Sequence, residues 1–187
     1  TSVRTVGRDG INLVSFSDDS TPLGSSAIAV TFSFFKTEGS GLVFDEADIV
    51  FSRSFTFSTS AELNKFDIQG VLTHEIGHFL GLDHSGMVSS VMVPFGAVSQ
   101  LDQRNLSYDD IAGAVEIYPQ VAAPPPTGQI RGTIQSGTIP VFGAHVVAVD
   151  ANGPAQVGTL TQPDGSYLIR YLPPGNYRVF AEPLDLP

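Results

Sequence analysis

The sequence contains no cysteine and no tryptophan, and only two lysines, Lys36 and Lys65. Without cysteine there are no disulfides, no thiolate metal ligands and no thiol nucleophile. That absence fits the cytosol and a secreted protein built without disulfides equally well. Basic groups are few: 9 Lys and Arg against 19 Asp and Glu give a formal net charge of −10. So acidic a chain lacks the electrostatic footprint for nucleic acid or an anionic membrane. No apolar run reaches about 18 residues, so no membrane-inserted helix is expected. No charged-then-apolar leader follows Thr1, and any signal peptide or pro-segment is expected outside this chain.

The 187 residues suffice for one ordinary domain plus a small one, and 42% apolar residues supply a core. The acidity is uneven: residues 1–120 hold 15 acidic and 6 basic groups, residues 121–187 hold 4 and 3. Its readings are solubility or calcium binding. Pro124, Pro125 and Pro126 lack amide donors and favour an extended spacer. The expected organisation is a first domain over 1–119, a Pro-rich linker over 120–127 and a second domain over 128–187.

In the first domain, Ile11–Phe16, Ala27–Phe35 and Ala47–Ser52 are strand candidates, β-branched and aromatic-rich. Alternation in the third puts Ile49 and Phe51 on one face. From 67 to 82 the period changes: Ile68, Val71, Leu72, Ile76, Phe79 and Leu80 recur at helical spacing. Asp67 suits the N-cap and Gly81 the end. A second helix is expected from Ser107, with Ser107 and Asp110 as a capping box, an apolar stripe of Ile111, Ala114, Val115 and Tyr118, and Pro119 as its stop. After the prolines only strand and turn signals remain, at 128–134, 144–149, 167–169 and 177–180. Asp164-Gly165 is a hairpin signal, and the whole suggests a small β-sandwich.

Chemistry concentrates in HEIGHFLGLDH, from His74 to His84. On a helix His74 and His78 lie one above the other on one face. Two imidazoles so placed can bind one zinc at about 2.0–2.1 Å. Glu75 projects about 100° round the helix, placed to act as a base rather than a ligand. Gly81 lets the chain leave the helix sharply and bring back His84 as a third ligand. Three protein ligands with one open position mark a catalytic zinc rather than a structural one. Three of the four histidines fall within this one short segment, against the reading of a chance HExxH on an ordinary helix.

HExxHxxGxxH resembles the signature of the metzincin zinc peptidases. Ser85, following His84, is similar to the matrixin branch. Ser90-Val91-Met92-Val93-Pro94 resembles the Met-turn, and Leu106-Ser107-Tyr108-Asp109-Asp110-Ile111 the start of the matrixin C-terminal helix. The resemblance covers roughly residues 10–119. It implies an α+β fold: a twisted mixed sheet, an active-site helix and a C-terminal helix. It also implies a zinc endopeptidase with Glu75 as general base and Met92 beneath the metal. Substrate is expected to extend along an edge strand, with Ala29 and Val30 in the candidate segment 27–31. Pro94 and Phe95 are expected to line the pocket past the cleaved bond. Matrixins commonly bind calcium, which makes Asp45, Glu46 and Asp48 candidate ligands; a solvated turn is the other reading.

The sequence departs from the family at several points. No further histidines exist for a second, structural zinc, since His145 lies beyond the linker in an apolar strand run. Phe95 stands where some metzincins place a ligating tyrosine. A cysteine switch is impossible. The family's first strand and long first helix have no counterpart before residue 10, so the chain is expected to begin inside the domain. Residues 128–187 resemble the carboxypeptidase regulatory-like, prealbumin-type sandwich. Gly128-x-Ile130-x-Gly132, Gly143-Ala144-x-Val146, Asp164-Gly165-Ser166-Tyr167 and Leu172-Pro173-Pro174-Gly175-x-Tyr177 carry that likeness. No catalytic constellation is found there, and a spacer or adhesive module is the expectation.

The function expected is a secreted or cell-surface zinc endopeptidase, monomeric, from a bacterial source, acting on protein or peptide. Two alternatives stand beside it: a catalytically inert extracellular binding protein on the same scaffold, and a non-proteolytic zinc hydrolase.

Overall fold

The computed structural model describes residues 5–18, 21–119 and 127–183. Most of the expected linker lies outside the described residues. The architecture is α+β, and contacts divide the chain into two compact units: Thr1–Asp83 with Phe95–Asn105, and His84–Pro94 with Leu106–Pro187.

The first unit is built on a three-stranded sheet ordered β1-β3-β2, from β1 (Val14–Phe16), β2 (Ala29–Glu38) and β3 (Gly41–Phe51). Strand β1 runs parallel to β3, and β2 runs antiparallel to it from Ala29 opposite Phe51 to Glu38 opposite Gly41. The sheet is therefore mixed. The β2–β3 hairpin is longer than the sequence pattern suggested, because Lys36-Thr37-Glu38 and Leu42-Val43-Phe44, on either side of the Gly39-Ser40 turn, pair as strand without apolar alternation. Ile49 and Phe51 do share a face, packed with Val71, Ile68 and Leu72. Val50 on the other face is equally buried, so the centre of β3 is covered on both sides.

Helix α1 (Ile68–Phe79) follows a short parallel pair, β4 (Phe57–Ser58) with β5 (Phe66–Asp67). The Asp67 carboxylate caps it, accepting from the Gly70 amide at 2.9 Å. Arg104 grips the same carboxylate with two N–H groups, at 2.7 and 2.6 Å. Gly81 sits just past the end at φ +94°, where a side chain would be strained. Of the expected stripe, Ile76 and Leu80 are exposed.

The Arg104 hydrogen bonds hold the Asp67 pKa below the ordinary aspartate range. A depressed carboxylate pKa stabilises the fold above the unfolded value, about 3.9, and that contribution is lost as pH falls through the lower folded value. The stability difference between the parent and Arg104→Ala should thus hold steady from pH 7 to about 4 and close below it. Urea unfolding across that range tests this; a gap that widened on acidification would contradict it.

In the second unit, α2 (Tyr108–Ile117) begins with the expected capping box of Ser107 and Asp110. Its buried face differs from the expected stripe. Ile111 and Tyr118 are exposed, while Asp110 and Ala112 are buried. Polar bonding of Asp110 decides this, together with packing of Ala112 among sandwich residues. The strands are β6 (Gly128–Thr133), β7 (Gln135–Ser136), β8 (Ile139–Pro140), β9 (His145–Asp150), β10 (Gln156–Leu160), β11 (Ser166–Leu172) and β12 (Tyr177–Glu182). They form sheets β10-β9-β12 and β11-β6, with β7-β8 as a small hairpin. Val146, Ala148, Val157, Ile169 and Leu172 fill the core with Ala112. Strand β10 was not legible, since Gln156-Val157-Gly158-Thr159 is broken by glycine and lacks an apolar run. His145 is buried in β9 with Nδ1 3.2 Å from Glu182, a strand histidine as expected.

Candidate metal centre

His74 and His78 occupy one face of α1, with ring centroids 4.7 Å apart and Nε2 atoms separated by 3.1 Å. The edge of a tetrahedron with bonds of about 2.0–2.1 Å is about 3.3 Å, so this spacing suits two ligands of one zinc. The Leu82 carbonyl lies 2.9 Å from His78 Nδ1. A carbonyl only accepts, so the proton resides on Nδ1 and the Nε2 lone pair is left for a metal. The same turn fixes the helix end: the Leu82 amide donates to Gly77 at 2.9 Å and the Gly81 amide to His78 at 2.9 Å. His84 follows two residues later, and one nitrogen from each of the three histidines lies within 4.8 Å of the others. Among the described residues this is the one group of three or more His, Asp or Glu side chains close enough to share a metal.

Glu75, one residue after the first histidine, is buried at 4% exposure. Its carboxylate accepts from the Thr31 hydroxyl at 2.6 Å, and that hydroxyl is 3.0 Å from the Glu75 carbonyl. Thr31 was not singled out from the sequence. Its only signal is a hydroxyl next to the apolar run Ala27–Val30.

Strand β2, carrying Ala29 and Val30, pairs on one side only, with β3, so it lies at an edge among the described strands. Both residues are half-buried there. Pro94 and Phe95 are exposed, Phe95 at 58%.

Met92 is buried, and its carbonyl accepts the Ser85 amide at 2.8 Å, bracing the residue after His84. Asp110 organises this loop. Its carboxylate accepts from Ser90 Oγ at 2.5 Å, from the Val91 amide at 3.0 Å and from the Met92 amide at 3.3 Å. It also takes the Ser107 amide at 2.7 Å. The sequence marked Asp110 as a cap; its tie to the 90–92 loop, well back along the chain, was invisible.

Asp45, Glu46 and Asp48 lie on β3 and act as clamps. Asp45 meets Arg8 at 2.8 Å and Lys36 at 3.0 Å, and the Lys36 and Arg8 hydrogen bonds lower its pKa. Glu46 accepts amides of Asp9 and Gly10 at 3.1 and 2.6 Å. Asp48 accepts those of Gly7 and Leu13 at 2.9 and 2.8 Å. Together they fasten residues 7–13 to the sheet.

A helix that presents two histidines and a buried glutamate, with a third histidine past a glycine turn, gives a cluster with the composition of a metal site. The chain belongs to the matrixin family, whose model matches residues 15–119, and a carboxypeptidase regulatory-like domain matches residues 129–184. It is 30% identical to human matrix metalloproteinase-15 over 118 residues, 60% of this chain and 17% of that protein. Metalloendoproteinase 1-MMP of Arabidopsis thaliana is 38% identical over 76 residues, 39% of this chain and 20% of the relative. Matrilysin of Rattus norvegicus is 48% identical over 48 residues, 26% of this chain and 18% of the relative. The chain thus spans a fifth or less of each of these relatives. They come from mammals and a plant, and lend no support to the bacterial source expected. No solved structure gives a significant match. No helix among the described residues is long and apolar enough to cross a membrane.

Proposed function

We propose that this protein is a zinc-dependent endopeptidase that hydrolyses bonds within extended protein or peptide substrates. The observation that carries the reading is the buried Glu75 carboxylate, hydrogen-bonded by Thr31, in the same helix turn as two of the three clustered histidines. Three imidazoles are a donor set that suits zinc, and His74, His78 and His84 would hold it. Bound there, zinc supplies Lewis acidity that activates water and stabilises charge on the substrate carbonyl.

The chain's own residues do the rest. Glu75 takes a proton from the attacking water and returns it to the departing amine. The Thr31 hydrogen bond limits its rotamers. The free edge of β2 at Ala29 and Val30 offers backbone donors and acceptors for a substrate strand. Met92, in the loop tied to Asp110, holds the Met-turn position, and Pro94 with Phe95 forms the wall of the side-chain pocket. The protein is read as a monomer working outside the cell or at its surface.

The test joins zinc analysis to a peptide-cleavage assay. One zinc per chain is expected, with cleavage abolished by a strong zinc chelator and restored by added zinc. Cleavage indifferent to the chelator would overturn the reading. Zinc uptake with no cleavage of any peptide would leave the inert binding scaffold in its place.

A further inference from the structure

The regulatory-like sandwich has no role in the chemistry above. A tethered accessory module, however, would leave its sheet edge and the end of α2 to water. The contacts within the second unit are otherwise.

Asp109, in the first turn of α2, joins two distant segments. One carboxylate oxygen accepts from Ser85 Oγ at 2.5 Å, and Ser85 directly follows His84. The other accepts from the Gly158 amide at 2.8 Å, in the middle of β10. Strand β10 is the edge of its sheet, so Asp109 satisfies a backbone donor that would otherwise face solvent. Burial pushes the Asp109 pKa up, as expected of a carboxylate drawn out of water between two elements.

Packing tells the same story. A Cβ on Gly158 would come within 2.5 Å of His145 Nε2 and 3.2 Å of Met87 Sδ. Met87 belongs to the loop after His84, is itself buried, and its amide is tied to Ser85 Oγ at 3.1 Å. Glycine is therefore what lets the loop lie against β10. Ala112 shares one apolar cluster with Val146, Ala148, Val157, Ile169 and Leu172, and Glu116 pairs with Arg170. The apolar core thus joins the sandwich to α2, while hydrogen bonds through Asp109 and the close approach at Gly158 join it to the loop that begins at the third histidine.

We propose that the β-sandwich is a structural part of the metal centre, holding the His84 loop through Asp109 and Gly158, with Asp109 as a positioning residue. This rests on the zinc reading. Outer partners that fix a ligand's placement govern metal affinity, and losing one weakens binding about 10- to 100-fold. Linkage makes the effect reciprocal: whatever β10 does for zinc retention, zinc does for the stability of β10.

The first experiment uses the unaltered full chain. Amide hydrogen exchange is followed with and without one equivalent of zinc, alongside measured zinc stoichiometry. Slower exchange at Gly158 and its β10 neighbours in the zinc form is expected. Zinc uptake with β10 amides unmoved would overturn the proposal while leaving the metal reading intact. A chain that takes up no zinc overturns both. The second experiment titrates zinc against a chromophoric chelator in Asp109→Ala and Gly158→Ala. Both should lose zinc affinity about tenfold or more, whereas Arg170→Ala, at the exposed ion pair, should bind as the parent does. Parent-like affinity in folded Asp109→Ala would count against the coupling. Should that variant fail to fold, the exchange measurement on the parent decides.

Discussion

Glu75→Ala is expected to bind one zinc per chain as the parent does while peptide cleavage falls by about two to four orders of magnitude, the usual yield of a positioned general base. Glu75 is not among the three clustered nitrogen donors, so its loss should leave them in place. The proton-transfer partner goes, and Thr31 loses its acceptor. The fall should appear in kcat rather than KM, because the carboxylate acts on the reacting water and not on the extended substrate. Activity within a few-fold of the parent, at matched zinc content, would mean that another group is the base.

A second large effect is expected at Asp110, on stability. The side chain is 4% exposed and serves Ser90, Val91, Met92 and Ser107 together. Alanine there leaves several buried donors unsatisfied at once, each costing about 1–3 kcal/mol. These donors share one loop and will partly relax, so the costs do not add fully. A loss of about 3–5 kcal/mol is expected, a large part of the usual stability of a domain. Denaturant unfolding of the full chain measures it. Zinc retention should drop with it, because the loop that Asp110 organises also carries the Met92 carbonyl that braces Ser85. A change below about 1 kcal/mol would mean the loop is fixed by other contacts.

Local rules were legible where the chemistry is local. The α1 helix, its Asp67 cap, the glycine exit and the spacing of His74, His78 and His84 all lie in one continuous stretch, and periodicity with capping chemistry suffices to read them. The α2 capping box is of the same kind. The buried face of α2 is not legible, for the opposite reason. Its apolar stripe is short and ordinary, and what buries Asp110 and Ala112 are partners remote in sequence: the 90–92 loop on one side and the strands of the sandwich on the other. Strand β10 has a central glycine and no alternation to display; its register comes from β9. The acidic residues of β3 carry a second feature that composition does not show: the tertiary arrangement gives them amides and two basic side chains.

The sequence by itself determined the family and the candidate metal-binding trio with the glutamate beside it, because those depend on residue type and on spacing along one helix and its exit. Tertiary structure alone decided what holds those groups in place: Thr31 on Glu75, Asp110 on the Met92 loop, Asp109 between Ser85 and Gly158. Such contacts join segments far apart in the chain, and their partners are often backbone amides. An amide is present at every residue except proline, so no side-chain pattern can announce which one a carboxylate will find.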